Sequence, residues 1–223
     1  MKPYYSHAGI QIYHGDCREI LPMLPDVALL LADPPYGIGY SPSGGGRGAF
    51  GKQVFRRFTG KDLVFGDRGP FDPTHLLGVA PLCILWGANH YAGSLPQQSA
   101  WLVWDKREAE STLKFSDCEM AWTNIGGPAR IFRHMWNGVA KASEVGESRY
   151  HPTQKPLALM RWCIQRAGNP ASVVDPYMGS GTTLIAAKNA GISKAIGIEI
   201  EERYCEIAAK RLSQEVFSFQ EQR

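Results

Sequence analysis

Two short segments of this 223-residue chain, Asp33-Pro34-Pro35-Tyr36 and Asp175-Pro176-Tyr177-Met178-Gly179-Ser180-Gly181-Thr182-Thr183, each follow an apolar run and each end in a turn. The first sets an acid and an aromatic ring on a turn stiffened by two prolines. The second lets the backbone turn tightly at Gly179-Ser180-Gly181 and approach a ligand, and a helix starting there offers unpaired amides to a carboxylate or phosphate. Glu199 closes the next apolar run about 20 residues on, the spacing at which an acid holds ribose hydroxyls in nucleotide-binding folds. An adenosyl ligand fits that set. A dinucleotide fingerprint would need a third glycine where Leu184 stands, and a P-loop would need a lysine where Thr182 stands. Taken singly, an acid before two prolines is an ordinary turn and Gly-Ser-Gly an ordinary helix start; their conjunction carries the reading.

Ile10 to His14, Val27 to Ala32, Leu82 to Trp86, Trp101 to Trp104, Glu119 to Thr123, Ala129 to Arg133, Ser172 to Val174 and Ala195 to Ile200 have strand character, which predicts a sheet of about seven strands. Leu157, Met160, Cys163, Ile164 and Ala167 share one helical face, and Tyr204, Ile207, Ala208, Leu212, Val216 and Phe219 share another. Pro156 is expected as the first residue of the former helix, where proline is tolerated. Strand, loop, helix and strand from Val173 to Ile200 form a right-handed crossover, so the sheet is at least partly parallel. The fold class is α/β: a mostly parallel twisted sheet with helices on both faces. Ligands in such sheets bind beyond the strands' carboxyl ends, where the strand order reverses. Both turns sit at strand carboxyl ends.

Composition sets the frame around that site. With 44% hydrophobic and 20% charged residues the chain is ordinary globular material, and its length suits one domain spanning 1–223. A net charge of +3 permits an anionic partner without demanding one, since the placement of charge decides. Cys17, Cys83, Cys118, Cys163 and Cys205 are widely separated and never form a Cys-x-x-Cys pair, which argues against zinc and against a disulfide framework. The polar N-terminus and the lack of an apolar run of spanning length lead us to expect a cytoplasmic protein without a membrane anchor. Two stretches interrupt the pattern: 37–66, a glycine-rich and basic loop far longer than a usual connection, and 125–150, a segment too short for an independent domain.

In their order along the chain, these residues resemble the S-adenosyl-L-methionine-dependent amino-methyltransferases of DNA, in the permuted arrangement where the catalytic segment precedes the cofactor segment. The resemblance rests on His14-Gly15-Asp16, Asp33 to Tyr36, His151-Pro152-Thr153-Gln154-Lys155-Pro156, Asp175 to Thr183 and Gly197-Ile198-Glu199. It implies a Rossmann-like methyltransferase fold, DNA as partner, and transfer of a methyl group to the exocyclic amine of a base flipped out of the helix. Asp33 rather than serine at the head of the turn implies adenine N6; cytosine N4 uses the same geometry. Under this reading Asp33, Pro34, Pro35 and Tyr36 are catalytic. An amine lone pair delocalised into its ring becomes nucleophilic when acceptors, here Asp33 and the Pro34 carbonyl, take its two hydrogens and orient it. Tyr36 would stack on the base.

The same resemblance puts Asp16 on the adenine amine of the cofactor, Glu199 on its ribose, and Thr153 with Lys155 at its amino-acid end. Asp33, Asp175, Tyr177, Gly179, Ser180, Gly181 and Thr182 complete the cofactor pocket, Tyr177 standing where the family usually has phenylalanine. Plainer roles stand beside these. Asp16 would serve as a helix cap before Cys17, Thr153 as a cap for the helix at Pro156, Lys155 as a solvated helix-end lysine, and Glu199 as an acid at a helix N-terminus.

Arg47, Arg56, Arg57 and Lys61 follow the catalytic turn and would contact DNA phosphates, which position a duplex without reading it, or form a solvated loop. Arg130, Arg133 and Trp136 either read bases or pack on an edge strand. The short 125–150 segment implies a short recognition site or low selectivity. His134 and His151 read as structural. Methylation of RNA or of a protein amide, a non-catalytic DNA-binding subunit, and a nicotinamide-dependent dehydrogenase are the rival readings; methylation of a cytosine ring carbon would need a Pro-Cys pair, which the chain lacks. The resemblance leaves open a homodimer and a setting in restriction-modification.

Overall fold

The computed structural model describes residues 1–39, 64–98, 100–107, 116–136, 141–145 and 149–214. Its strands are β1 (Tyr5–His7), β2 (Ile10–His14), β3 (Leu29–Ala32), β4 (Leu82–Trp86), β5 (Trp101–Asp105), β6 (Cys118–Thr123), β7 (Arg130–Arg133), β8 (Ser172–Asp175) and β9 (Lys194–Glu199). They join one nine-stranded sheet in the order β1-β2-β9-β8-β3-β4-β6-β5-β7. The five central strands β2, β9, β8, β3 and β4 run parallel, whereas β1 and β6 run antiparallel to their neighbours and β7 runs parallel to β5.

The sheet thus exceeds the expected seven or so strands, chiefly through β1. Its three residues are short and largely exposed at an edge, so no apolar run announces them. Ala8 and Gly9, at φ 47° and 79°, make the two-residue hairpin turn that folds β1 onto β2.

In the central strands the side chains alternate between two apolar layers. Leu29 and Leu31 meet α2 (Leu157–Arg166), α3 (Thr182–Asn189) and α4 (Glu202–Ser213) through Leu159, Ile164, Leu184, Cys205 and Ala208. Leu30 and Ala32 face the opposite layer with Cys83, Leu85, Val174 and Ile198. Helices thus cover both faces, unequally. Among the described residues that layer is covered by the one-turn α1 (Cys17–Ile20) and by 3-10 turns at Leu21–Met23, Thr74–Leu76 and Ala88–His90. Pro22, Pro25, Pro70, Pro73 and Pro81 interrupt this stretch and keep longer helices from forming.

Helix α2 starts one residue later than its sequence suggests, with Pro156 at the N-cap in an extended conformation. Its cap is not Thr153: the Leu157 amide donates to Glu144 Oε2 at 3.0 Å. Val216 and Phe219, expected on the α4 face, lie outside the described residues, as do Arg47, Arg56, Arg57 and Lys61. Among the described residues no helix is long and apolar enough to cross a membrane.

The strand order reverses between β3 and β8, since the chain leaves β3 toward β4 on one side and β8 toward β9 on the other. The carboxyl ends of β3, β8, β9 and β2 therefore deliver Asp33, Asp175, Glu199 and the Gly15-Asp16 turn to one rim of the sheet.

Candidate active site

Asp33 is the first residue beyond β3, whose four residues are all buried, and the two prolines after it end the strand. Tyr36 donates its hydroxyl to Asp33 Oδ1 at 2.6 Å. The Tyr36 ring stacks on His90 with centroids 5.1 Å apart and planes 16° apart. It also lies against Gly87, at φ 71°, where an added Cβ would sit 1.9 Å from Tyr36 Cε1. Only glycine leaves the ring room there.

Lys155 projects onto the other carboxylate oxygen. Its ammonium donates to Asp33 Oδ2 at 2.6 Å and to the Tyr36 hydroxyl at 3.0 Å, and it pairs with Glu119 Oε2 at 3.0 Å. Lys106 holds the other oxygen of Glu119, also at 3.0 Å. Lys106, Glu119, Lys155 and Asp33 thus form a chain of alternating charge in a largely buried place.

The protonation behaviour follows from that arrangement. Burial raises the Asp33 carboxyl above its usual range, with Glu119 adding to the rise and Lys155 opposing it. Burial also works against a charged Glu119, but Lys155 and Lys106 overcome it and bring this carboxyl down to about 2. Against the same penalty, Asp33 and Glu119 hold the Lys155 ammonium above the usual lysine value. Burial beside two carboxylates drives the Tyr36 phenol well up.

A second group assembles at the ends of β8 and β9. Glu199 Oε2 accepts from the Gly179 amide at 3.0 Å and Oε1 from the Glu201 amide at 2.8 Å. Each oxygen keeps a lone pair for hydroxyl donors. Asp175 is fully enclosed; burial raises its carboxyl to about 7, although Thr183 and the Tyr177 amide donate to it. The His151 ring covers Gly179 and tilts onto Tyr204 at 4.4 Å. Burial, with Lys155 and Arg203 nearby, brings its pKa down to about 3, so the ring is neutral. Its Nδ1 accepts from the Thr153 amide at 3.3 Å. Tyr177 donates its hydroxyl to His75 Nε2 at 2.7 Å, and His75 Nδ1 donates to the Asp72 carbonyl at 3.1 Å, which fixes the imidazole tautomer.

The expected residues therefore fall into two neighbouring groups. Asp16 caps α1 by accepting from the Arg18 amide at 2.9 Å. Ser180 is buried with its carbonyl and hydroxyl turned to Arg211 of α4, so its side chain faces the helix layer. Thr182 is buried at the start of α3. Lys155 is buried rather than solvated, and it pairs with Asp33 and Glu119.

Comparison with known proteins adds the chemistry to this geometry. The DNA methylase profile of the N6/N4 methyltransferases matches residues 81–210, more than half of the chain. The type II methyltransferase M2.DpnII of Streptococcus pneumoniae is 37% identical over 253 aligned residues, covering 96% of this chain and 93% of its own. The chain belongs to the N6/N4 DNA methylase family. M2.LlaDCHI of Lactococcus lactis subsp. cremoris, also a type II methyltransferase, is 26% identical, with 95% and 92% of the two chains covered. Asp33 precedes the profile match, but both alignments run over nearly the whole methylase.

Among solved structures, the M1.HpyAVI–SAM complex aligns with a TM-score of 0.55 at 23% identity, covering 92% of this chain and 100% of that one. The cytosine-N4-specific PvuII DNA methyltransferase aligns with a TM-score of 0.62 at 16% identity, covering 97% and 91%. These likenesses give the methylase sheet its Rossmann-like class. The protein is a DNA methyltransferase of an S-adenosylmethionine-dependent family.

Elsewhere in the methylase, Trp136 cannot read bases as the sequence allowed. It is 5% exposed, packed in the main apolar layer, and Lys141 sits 4.6 Å over its ring. Arg130 and Arg133 do lie exposed on the edge strand β7, with Arg133 at 3.6 Å from Asp105. Sequence reasoning missed Glu119 and Lys106. Their only local signal is a glutamate inside an otherwise apolar strand, a residue type depleted in strands.

Proposed function

We propose that this methylase transfers a methyl group to N6 of adenine in DNA, with Asp33, Pro34, Pro35 and Tyr36 as the catalytic turn. The observation that carries the reading is Asp33 itself, a partly buried carboxylate heading a proline-stiffened turn at the reversal of strand order. The Asp33 carboxylate and the Pro34 carbonyl accept the two amine hydrogens and turn the lone pair out of the ring plane. Tyr36, fixed by His90 and Gly87, offers its ring to the flipped base. S-adenosylmethionine, when bound, would supply an electrophilic methyl group, its sulfur–methyl bond breaking with the electron pair left on a neutral thioether. As the nitrogen takes up the methyl it becomes cationic, and its surplus proton passes to an Asp33 carboxylate oxygen, whose affinity for protons burial has raised.

Glu199 suits the cofactor's ribose, because both its oxygens are oriented by backbone amides before any ligand arrives. The Gly179 backbone lies beside it, and Asp16 and Tyr177 stand at the neighbouring strand ends. Glu199→Gln is expected to weaken S-adenosylmethionine binding by roughly 10-fold, the scale of a hydrogen bond to a charged group, with DNA binding unchanged. Calorimetric titration with cofactor and with DNA separately checks both halves.

We read DNA as the substrate and a short site as the target, since the 125–150 segment is short. No residue of a second copy enters this reading, so a monomer and a homodimer serve it equally. Single-molecule sequencing of a genome expressing the protein tests it. Modified adenines in a short motif are expected; modified cytosines would correct the base, and no modification would remove the assignment.

A further inference from the structure

Resting on that reading of the catalytic turn, we infer that Glu119 is a positioning residue for methyl transfer: it retains the Lys155 ammonium when Asp33 takes an amine hydrogen of the base. Lys155 has three N–H donors and three partners, namely Asp33 Oδ2 at 2.6 Å, the Tyr36 hydroxyl at 3.0 Å and Glu119 Oε2 at 3.0 Å. Its side chain is 8% exposed. A base amine must therefore compete with a short charge-assisted bond for the same carboxylate oxygen.

An ammonium released by Asp33 with no second carboxylate would be left buried and unpaired, which is strongly unfavourable. Glu119 removes that penalty. It comes from β6, on the far side of β4 from Asp33, and Lys106 of the segment after β5 pins its other oxygen at 3.0 Å. The carboxylate thus cannot follow Lys155 toward Asp33, and the ammonium moves toward it instead. Lys155 shifts by a fraction of its stem, and Asp33 Oδ2 becomes a full acceptor while Tyr36 still holds Oδ1.

The charged and titratable groups facing this pair are Asp33 and Tyr36 after β3, His90 and Tyr91 after β4, Lys106 after β5, His151 ahead of α2 and Asp175 at the end of β8. Removing the Glu119 charge lowers the proton affinity of both Asp33 and Lys155, because Glu119 raises each of them. Removing the Lys106 charge acts in the same sense and more weakly, since Lys106 favours the ionised Glu119 that supports both.

The test is the pH dependence of kcat on DNA at saturating S-adenosylmethionine, for wild type, Glu119→Gln, Glu119→Asp and Lys106→Met. Glu119→Gln is expected to lower kcat by roughly 10- to 100-fold, the scale of a misplaced reacting group. Its KM for the cofactor stays unchanged, its pH profile moves to lower pH, and Glu119→Asp recovers part of the rate. Lys106→Met moves the profile to lower pH as well, by less. Wild-type kcat in Glu119→Gln, or reduced rates in both variants with unmoved profiles, would overturn the inference. If Glu119→Gln does not fold, the Lys106→Met profile decides alone by the same criterion. An inactive wild-type protein would instead sink the underlying functional reading.

Discussion

Asp33→Ala is expected to lose methyl transfer by roughly 10³-fold or more, the scale of removing a group that stabilises developing charge, while binding S-adenosylmethionine as wild type does. The carboxylate is the acceptor that makes the amine nucleophilic and the site that takes its proton, so both functions vanish together. The cofactor group at Gly179 and Glu199 is built on β8 and β9 and does not hang on the Asp33 side chain. Folding survives, because Lys155 keeps Glu119 as its partner. Asp33→Asn, which retains one acceptor oxygen without the charge, is expected to fall between the two. Single-turnover transfer to DNA beside calorimetric cofactor binding reads both quantities; a fully active Asp33→Ala would remove the residue from the mechanism.

Lys155→Met is expected to be the most destabilising single change near the site and to make stability fall more steeply as pH rises. Deleting this ammonium leaves Asp33 and Glu119 facing each other without the cation between them, a loss of about 3 to 5 kcal/mol by analogy with broken buried ion pairs. In the wild type the Glu119 carboxyl lies at about 2 in the folded chain, below its ordinary value. Its contribution is therefore complete above the unfolded pKa and is lost as pH falls through the folded one. In Lys155→Met the Asp33 carboxyl rises further, and Glu119 keeps only Lys106 against burial and rises from its low value. The unfolded chain then releases protons more readily, and stability falls as pH rises through the ordinary carboxylate range. Thermal unfolding from pH 4 to pH 8 should show a Tm that falls more steeply for Lys155→Met than for the wild type. An unchanged slope in this variant would mean that Lys155 is not the shared counter-ion.

Much of this was legible in the chain, and the rest has an identifiable physical reason. The parallel core could be read because Leu29-Leu30-Leu31-Ala32 and Ser172-Val173-Val174 are continuous apolar runs closed by turn residues, the mark of strands buried on both faces. Helices α2 and α4 could be read from their 3.6-residue stripes. β1 could not, because an exposed edge strand has no apolar face to display. Asp33 and Glu199 were visible as acids at strand ends.

Glu119 was not visible, because its meaning depends on Lys155 and Asp33, which lie 36 and 86 residues away in sequence and meet it only through the pairing of β3, β4 and β6. The same limit explains Lys155, whose helix-edge position suggests solvent until the sheet rim is assembled around it. Trp136 fails for the converse reason. An aromatic residue among basic ones matches nucleic-acid binding in composition, yet the apolar layer beneath β5 and β7 claims the ring. Cap identity at α2 was lost in a similar way, since Glu144 reaches Leu157 from outside the helix's own sequence window.

The most direct test of the central claim is mass spectrometry of nucleosides released from DNA after incubation of the purified protein with isotopically labelled S-adenosylmethionine. Label in N6-methyldeoxyadenosine, absent when Asp33→Ala replaces the wild type, is the result predicted. Label in N4-methyldeoxycytidine would preserve the Asp33 chemistry and contradict the adenine assignment. A wild-type protein that binds the cofactor yet leaves every DNA nucleoside unlabelled would contradict the account itself.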